Sequence, residues 1–592
     1  MLSALCVFVT AAVSVSLASA AIGDPQLASL DDVGANRSGN AVGSAVSADG
    51  RWVAFTSADD LTGTPAGGVP QLYVRDRIDG RTMLASAGAT GAAADAPVDD
   101  PVDQRAYAIS GDGRYVVFAT EAANLEVGDP DGSDRDVFRK DLRTGAIQPV
   151  SRTAGGAAAN GPVGGDPDIS FDGSRVAYET GAATNLWAGD TSNLSDIVVN
   201  DMVAGSSVLA SADAMGAALA GTIRRPTLSA DGRVVAFEVA GTIAVRNLVA
   251  ESTTFGPPGL FPDLSGDGHV AVFQDGLSIV RRDLVTATSA VIDSGTSPGV
   301  SADGRRVVFA APAGLIAGDA NGVSDVYVGG PASPLDRVSR RANGDEVDRG
   351  SDRPAMSADG GSVAFDIDDG VPSQFLTPAD TDGAPDVLVA KLAPTDSAGP
   401  TVNLLSPVDG TSVTAPTIGV SGDVQDVSGV VALTVNGFPA LLGPSNGFSV
   451  EVPLAVGTGT LTVRAVDGAG RVSERLVPIT RVGSSTTPAV PRARARSLRV
   501  VRAGRSTRVR FVLDPGATRV TVRLWRRVPH SGRAPTWTPA NPLRRVAVAP
   551  GRRTALVSPR PLRVGIYQVR VTVISAGGVA VGVIRHAVAR RT

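Results

Sequence analysis

Four stretches of the chain place carboxylates and amides where a small cation bound by oxygen could use them. They are GDPDGSDRD (128–136), GDTSNLSD (189–196), GDANGVSD (318–325) and ADTDGAPD (379–386). In the last two an Asp is followed two residues on by Asn or Asp, then by Gly, and six residues on by a second Asp. That gives Asp319, Asn321 and Asp325, and Asp380, Asp382 and Asp386. The first loop offers Asp129, Asp131 and Asp136 with one residue more, and the second offers Asp190, Asn193 and Asp196. Alternating oxygen ligands around a Gly bend suit Ca²⁺. The same residues also make Asx-turns that cap hairpins without a metal, and no loop carries the Glu that could ligate through both oxygens. Calcium is the only cofactor the sequence offers, and turn chemistry is the competing reading.

Other chemistry is scarce. The three histidines are His269, His530 and His586, and His269 occupies a slot where sister segments carry Arg, as a surface residue would. One G-x-S-x-G match, 295–299, has Pro298 directly after Ser297 and a strand pattern beyond it. A nucleophile elbow needs a helix there. Phosphate loops and zinc spacings are absent. Carboxylates are plentiful enough for a glycosidase pair, but sugar sites favour aromatic platforms, and the repeat region described below holds only Trp52 and Trp187. No catalytic residue is assigned.

The elements that must hold these loops announce themselves by repetition. VSADGRWVAF (46–55) returns as ISGDGRYVVF, ISFDGSRVAY, LSADGRVVAF, LSGDGHVAVF, VSADGRRVVF and MSADGGSVAF. The turn aspartates are Asp49, Asp112, Asp172, Asp231, Asp267, Asp303 and Asp359, at intervals of 63, 60, 59, 36, 36 and 56. Asp-Gly between alternating β-branched and aromatic runs is a strong hairpin signal. A third strand (QLYVRD, 71–76; DVFRKDL, 136–142) and a fourth (IQPVSR, 147–152) complete each unit. Four short antiparallel strands per unit make a propeller blade. The long units add residues at one junction, between second and third strands, and so on one rim.

The last unit stops after DVLVAKL (386–392) without a fourth strand, while the chain begins with an orphan, QLASL (26–30). The expected fold is all-β: a seven-bladed β-propeller over 26–393, closed by the N-terminal strand, which removes an exposed edge. The S-x-D-G-R-x-V-A-F unit followed by D-V-[FY]-V-R-D-L resembles the TolB-like, WD-repeat-like propellers of exported bacterial proteins. That resemblance implies a structural role for the Asp-Gly pair, and a protein-binding platform or a partner to a hydrolase domain. No hydrolase domain follows in this sequence.

Two C-terminal β-sandwich domains are expected after the propeller. Over 400–482, SPVDGTSV, VSGDVQD, VNGFP and AVDGAG mark short strands and tight turns, as in an immunoglobulin-like sandwich. They resemble the bacterial Ig-like accessory module found beside glucodextranase, mostly a spacer. A Ser-, Thr- and Pro-rich linker (483–496) leads to an Arg-rich Ig- or fibronectin-like module (497–592).

The net charge of −5 conceals a division. From Arg492 onward there are 23 arginines and one acid, Asp514, leaving 31 basic and 58 acidic residues elsewhere. A basic end of this kind seeks polyanions. Residues 1–20 are apolar and end in Ala18-Ser19-Ala20, as a signal peptide does, and hold the one cysteine, Cys6. No later stretch is apolar and long enough to span a bilayer. Export makes nucleic acid an unsuitable partner. The expected function is an exported, non-catalytic binding or scaffold protein whose rim loops meet a protein or a cell-envelope polyanion. The alternatives are a carboxylate-based, polysaccharide-acting hydrolase or lyase with its site in the propeller channel, and a structural surface or adhesion component.

Overall fold

The computed structural model describes residues 22–482 except 23–24, 37–40, 99–105, 127–131, 133, 154, 188–189, 191–193, 313, 332, 342, 347, 369–375, 378, 382 and 444–445, and the strands of 495–588. The segment 1–20, most of the 483–496 linker, and Asp129, Asp131, Asn193 and Asp382 lie outside the described residues. The described elements are all β-strands.

The first repeat shows how the sequence builds a sheet. Gly50 takes φ +71 in the turn after Val42–Val46, a conformation glycine adopts without steric cost. Ser47 Oγ donates to Asp49 Oδ1 at 2.7 Å and accepts the amide of Trp52 at 3.0 Å, while Asp49 Oδ1 accepts the amide of Arg51 at 3.0 Å. The serine hydroxyl and one carboxylate oxygen thus close the turn on itself. Trp52–Ser57 then pairs with Gln71–Asp76, and that strand with Arg81–Leu84. Six further sheets of four antiparallel strands follow the same plan among the described residues.

These strands are buried on both faces because each sheet packs against its neighbours. Phe55, Phe118, Tyr178, Phe237, Phe273, Phe309 and Phe365, at the end of the shared motif, are all fully buried. Burying such a ring is worth about 1.5–3 kcal/mol. Ala54, Leu72 and Val74 join Ile109, Val116 and Phe118 of the second repeat in one cluster. Val53, Phe55 and Tyr73 join Ala364, Val387 and Val389 of the last repeat in another. The circle of sheets is therefore continuous, and the architecture is a β-propeller. Gln26–Leu27 lies antiparallel to Asp386–Lys391, with Gln26 opposite Val389, and takes the fourth place in the last sheet.

The seven S-x-D-G turns meet at the centre of one face. Ala48 N donates to Gly111 O, Asp112 N to Phe171 O, Phe171 N to Ala230 O, Ala230 N to Gly266 O, Gly266 N to Ala302 O, Ala302 N to Ala358 O and Asp359 N to Ala48 O, at 2.8–3.0 Å. Each turn donates to the next and the last returns to the first.

Residues 401–481 form a three-stranded and a five-stranded sheet around Val420, Leu433, Val435, Val452, Leu461, Val463 and Val477. Together with the propeller they make one compact unit, and 483–592 makes a second. Within that second unit Val520, Val522 and Leu524 alternate inward from Ala517–His530 to meet Val509, Phe511, Val569 and Val571. Arg523 and Arg570 lie over the Trp525 ring at 5.2 and 4.9 Å.

Candidate functional site

The acidic inserts join second to third strands, so antiparallel pairing puts them on the face opposite the S-x-D-G ring. The last aspartate of each insert sits at the start of a third strand, as its first residue (Asp136, Asp386), its second (Asp325) or the residue just before it (Asp196). Asp136, Asp196, Asp325 and Asp386 are buried. Asp136 accepts the hydroxyl of Ser151. Asp196 accepts that of Ser211 at 2.7 Å, Asp325 that of Ser339 at 2.5 Å, and Asp386 that of Ser29 at 2.6 Å. Each serine in turn accepts the amide following its aspartate: Val137, Ile197, Val326 or Val387, at 3.0–3.1 Å. Burial pushes the carboxyls of Asp196 and Asp325 above the usual range.

The other ligands proposed from the sequence divide by loop. Asp190 is half-buried, close enough for its charge to help raise Asp196. Asp319 and Asp325 come within 4.8 Å of each other and of Glu346. Arg337, 4% exposed, stands among the three, with Nη1 2.5 Å from Glu346, 3.5 Å from Asp325 and 3.7 Å from Asp319. Asp319 also accepts the hydroxyl of Tyr327, and Asn321 Nδ2 donates to Asp325 at 3.1 Å. A guanidinium thus holds the position between these acids. Asp380 similarly pairs at 2.7 Å with Arg349, which is fully buried.

A second set of charged residues lines the inner strands, and sequence reasoning missed it. Register shifts between Arg224 and Thr227, Leu260 and Asp263, and Asp352 and Ala355 mark bulges in first strands. Arg225, Phe261 and Arg353 there take positive φ. A bulge leaves an amide outside the ladder, and a buried amide needs an acceptor. The preceding repeat supplies one. Glu179 accepts Arg225 N at 2.8 Å, Glu238 accepts Phe261 N at 2.7 Å, and Asp366 accepts Gly43 N at 2.9 Å. Asp168 and Asp263 do the same for Leu228 N and Val300 N, at 2.7 and 2.8 Å. Arg225 reaches Glu238 at 3.0 Å, with Phe261 4.1 Å beneath its guanidinium. Arg353 pairs with Asp366 at 2.8 Å. Burial nevertheless pushes Asp366 up to about 6, and its Oδ1 has no hydrogen-bond partner. The signal was present, since an acid directly follows the strand motif in RVAYE, VVAFE and SVAFD.

Ser297 of the G-x-S-x-G match lies in the strand Thr296–Val300, at one of these bulges, with φ 51. His269 is exposed, and its Nδ1 is 2.8 Å from Asp267, whose hydrogen bond raises its pKa.

On the opposite face the 401–481 sheets close over the ring of turns. A Cβ built on Gly470 would lie 3.6 Å from the Phe171 ring and 3.7 Å from Ala48; one on Gly468 would lie 3.3 Å from Ala230. Gly429, at φ +80, would bring a Cβ to 3.0 Å from the Asp267 Cα. Arg471 pairs with Asp359 at 2.7 Å. The first, third, fourth, fifth and seventh repeats are all touched, so these loops cross the propeller axis.

No protein family matches the sequence, and no curated protein does. Among solved structures the chain is similar to the β-propeller domain of the Trilobed protease from Pyrococcus furiosus, with 14% identity over 58% of this chain and 92% of that one, and a TM-score of 0.31. It is also similar to a fungal alcohol oxidase of the AA5 family in complex with copper (12%; 78% and 100%; 0.34). A third likeness is to the acylaminoacyl peptidase of Pyrococcus horikoshii (12%; 68% and 56%; 0.29).

Proposed function

We propose that the protein is a non-catalytic binding scaffold working outside the cytoplasm. A seven-bladed TolB-like propeller holds a protein or envelope ligand, an Ig-like module closes one end, and the Arg-rich module engages an envelope polyanion. One observation carries this reading: the carboxylates along the inner strands and at the ends of the inserts each make a structural hydrogen bond. Glu179, Glu238, Asp168, Asp263 and Asp366 each accept a backbone amide of the next repeat, and the inserts' last aspartates accept serines. The outer strands of the third to fifth repeats supply contact surface instead, exposing Val208, Phe255 and Val291 by 48%, 54% and 65%. Unpaired edges with apolar side chains suit an added strand or an apolar partner.

Asp366 favours a second reading, a polysaccharide-acting hydrolase or lyase, because a carboxyl ionising at about 6 can act as a general acid. Sedimentation with isolated cell envelopes and product analysis on envelope polysaccharides, with Asp366→Asn alongside, separate the two. Binding by both chains without products supports the scaffold. Products formed by the wild type and lost in the variant would overturn it.

A further inference from the structure

Two groups of acids among the described residues come close enough to share a cation. The first is the Asp319, Asp325 and Glu346 cluster that already surrounds Arg337. The second is Asp396, Asp426 and Asp467, and no arginine enters it. These three come from separate stretches: the link after Asp386–Lys391, the turn after Thr417–Gln425, and the last residue of Gly457–Asp467. One carboxylate oxygen from each lies within 4.8 Å of the other two.

The burial is severe. Asp467 is fully buried, Asp396 is 4% exposed and Asp426 is half-buried. One side of the group is satisfied: Asp467 Oδ1 accepts the amide of Arg471 at 2.7 Å, and Asp426 Oδ1 accepts the amide and hydroxyl of Ser428, both at 2.8 Å. The other side is not. Asp467 Oδ2 and Asp396 Oδ2 are both buried with no hydrogen-bond partner. Arg471 is adjacent, but its guanidinium is committed elsewhere, to the Asp396 carbonyl at 3.2 Å and to Asp359 Oδ2 at 2.7 Å. Among the described residues no ion pair involves any of the three acids.

Three carboxyls cannot stay ionised together in a buried space without a counter-charge. Either a proton or a metal must supply it. An all-carboxylate, irregular donor set drawn from loops fits Ca²⁺, which accepts hard oxygens in variable geometry, better than Mg²⁺ with its octahedral demand. We propose that Asp396, Asp426 and Asp467 hold a calcium ion that pins the link and the 401–481 sheets onto the ring of S-x-D-G turns. The position supports this role. Asp396 N and Thr395 N donate to the carbonyl of Asp359, at 3.4 and 2.9 Å, and the Asp426 and Asp467 turns are joined by the bond from Gly468 N to Gly429 O at 3.0 Å. The ion would bind all three pieces at once, over the propeller axis.

The test uses the full chain, stripped with a chelator and titrated calorimetrically with Ca²⁺ alone at pH 7.5, beside Asp467→Asn and Asp426→Asn. The acidic inserts could take up ions of their own, so the readout is a difference. Each variant should bind one equivalent less than the wild type. Calcium should protect residues 393–400 from limited proteolysis in the wild type and not in the variants. Should Asp467→Asn not fold, the half-buried Asp426 still gives the comparison. No calcium uptake by the wild type, or equal uptake by the wild type and Asp426→Asn, would overturn the proposal. Neither result depends on what the propeller binds.

Discussion

Ser29 and Asp386 meet across 357 positions of chain, the serine hydroxyl donating to Oδ1 at 2.6 Å. Ser211 with Asp196 and Ser339 with Asp325 make the same contact within single repeats, 15 and 14 residues apart. The last sheet therefore treats the N-terminal segment as its own fourth strand. Ser29→Ala removes a donor from a buried carboxylate and should cost about 1–3 kcal/mol. Urea unfolding measures it, and an unchanged midpoint would deny the closure any energetic weight.

Arg337 is the counter-charge for Asp319, Asp325 and Glu346. Removing one member of a buried ionic group is expected to cost about 3–5 kcal/mol. Arg337→Met should show that loss at pH 7 and a smaller one at pH 4.5, because burial holds the Asp325 carboxyl above the usual range and so favours its protonated form on the acid side. The same loss at both values would mean that packing, not charge, had been removed.

Asp366 gives a pH dependence whose sign is fixed. Its carboxyl ionises near 6 in the folded chain, against 3.8 for an unperturbed aspartate. Between those values the folded chain keeps a proton that the unfolded chain has lost. The group's stabilisation is therefore complete below about 4 and is lost as pH rises to 6. Thermal melts across pH 4–6 should slope less in Asp366→Asn than in the wild type. Parallel curves would remove Asp366 as the source.

Gly429→Ala combines positive φ with a Cβ 3.0 Å from the Asp267 Cα. Gly437, at φ +76, has nothing within 4 Å of its Cβ and isolates the conformational part, about 1–2 kcal/mol. Gly429→Ala should cost more than Gly437→Ala and raise hydrogen exchange at the amides of Gly268 and His269. Equal costs would show that the two surfaces do not press together there.

Much of the propeller was legible because its signals are local. Ser47 and Asp49 close their own turn, and the strand beyond alternates as its residues dictate. The orphan strand could be placed because the last repeat lacks what the first segment provides. The site was less legible because its partners are distant in sequence. Asp49 reads as a turn former whether or not a neighbouring turn bonds to it. Glu238 looks like one more surface acid until Phe261 N, 23 residues on, is known to face it. The Asp-to-Ser interval of 14–15 residues was in the sequence, but a hydroxyl that accepts an amide while donating to a carboxylate shows only when the strands are side by side. Arg337 took the position between three acids that a loop pattern alone leaves open to a metal.

The S-x-D-G turns pass hydrogen bonds in one rotational sense, each giving to the turn ahead and taking from the turn behind. Such a circuit has no beginning. The N-terminal strand joins the last sheet, where Gln26 and Leu27 pair with Val389 and Leu388 and Ser29 donates to Asp386, and leaves the ring of turns unbroken. No link of the circuit lies at the seam, so the ring holds the seven turns together independently of the strand that closes the last sheet.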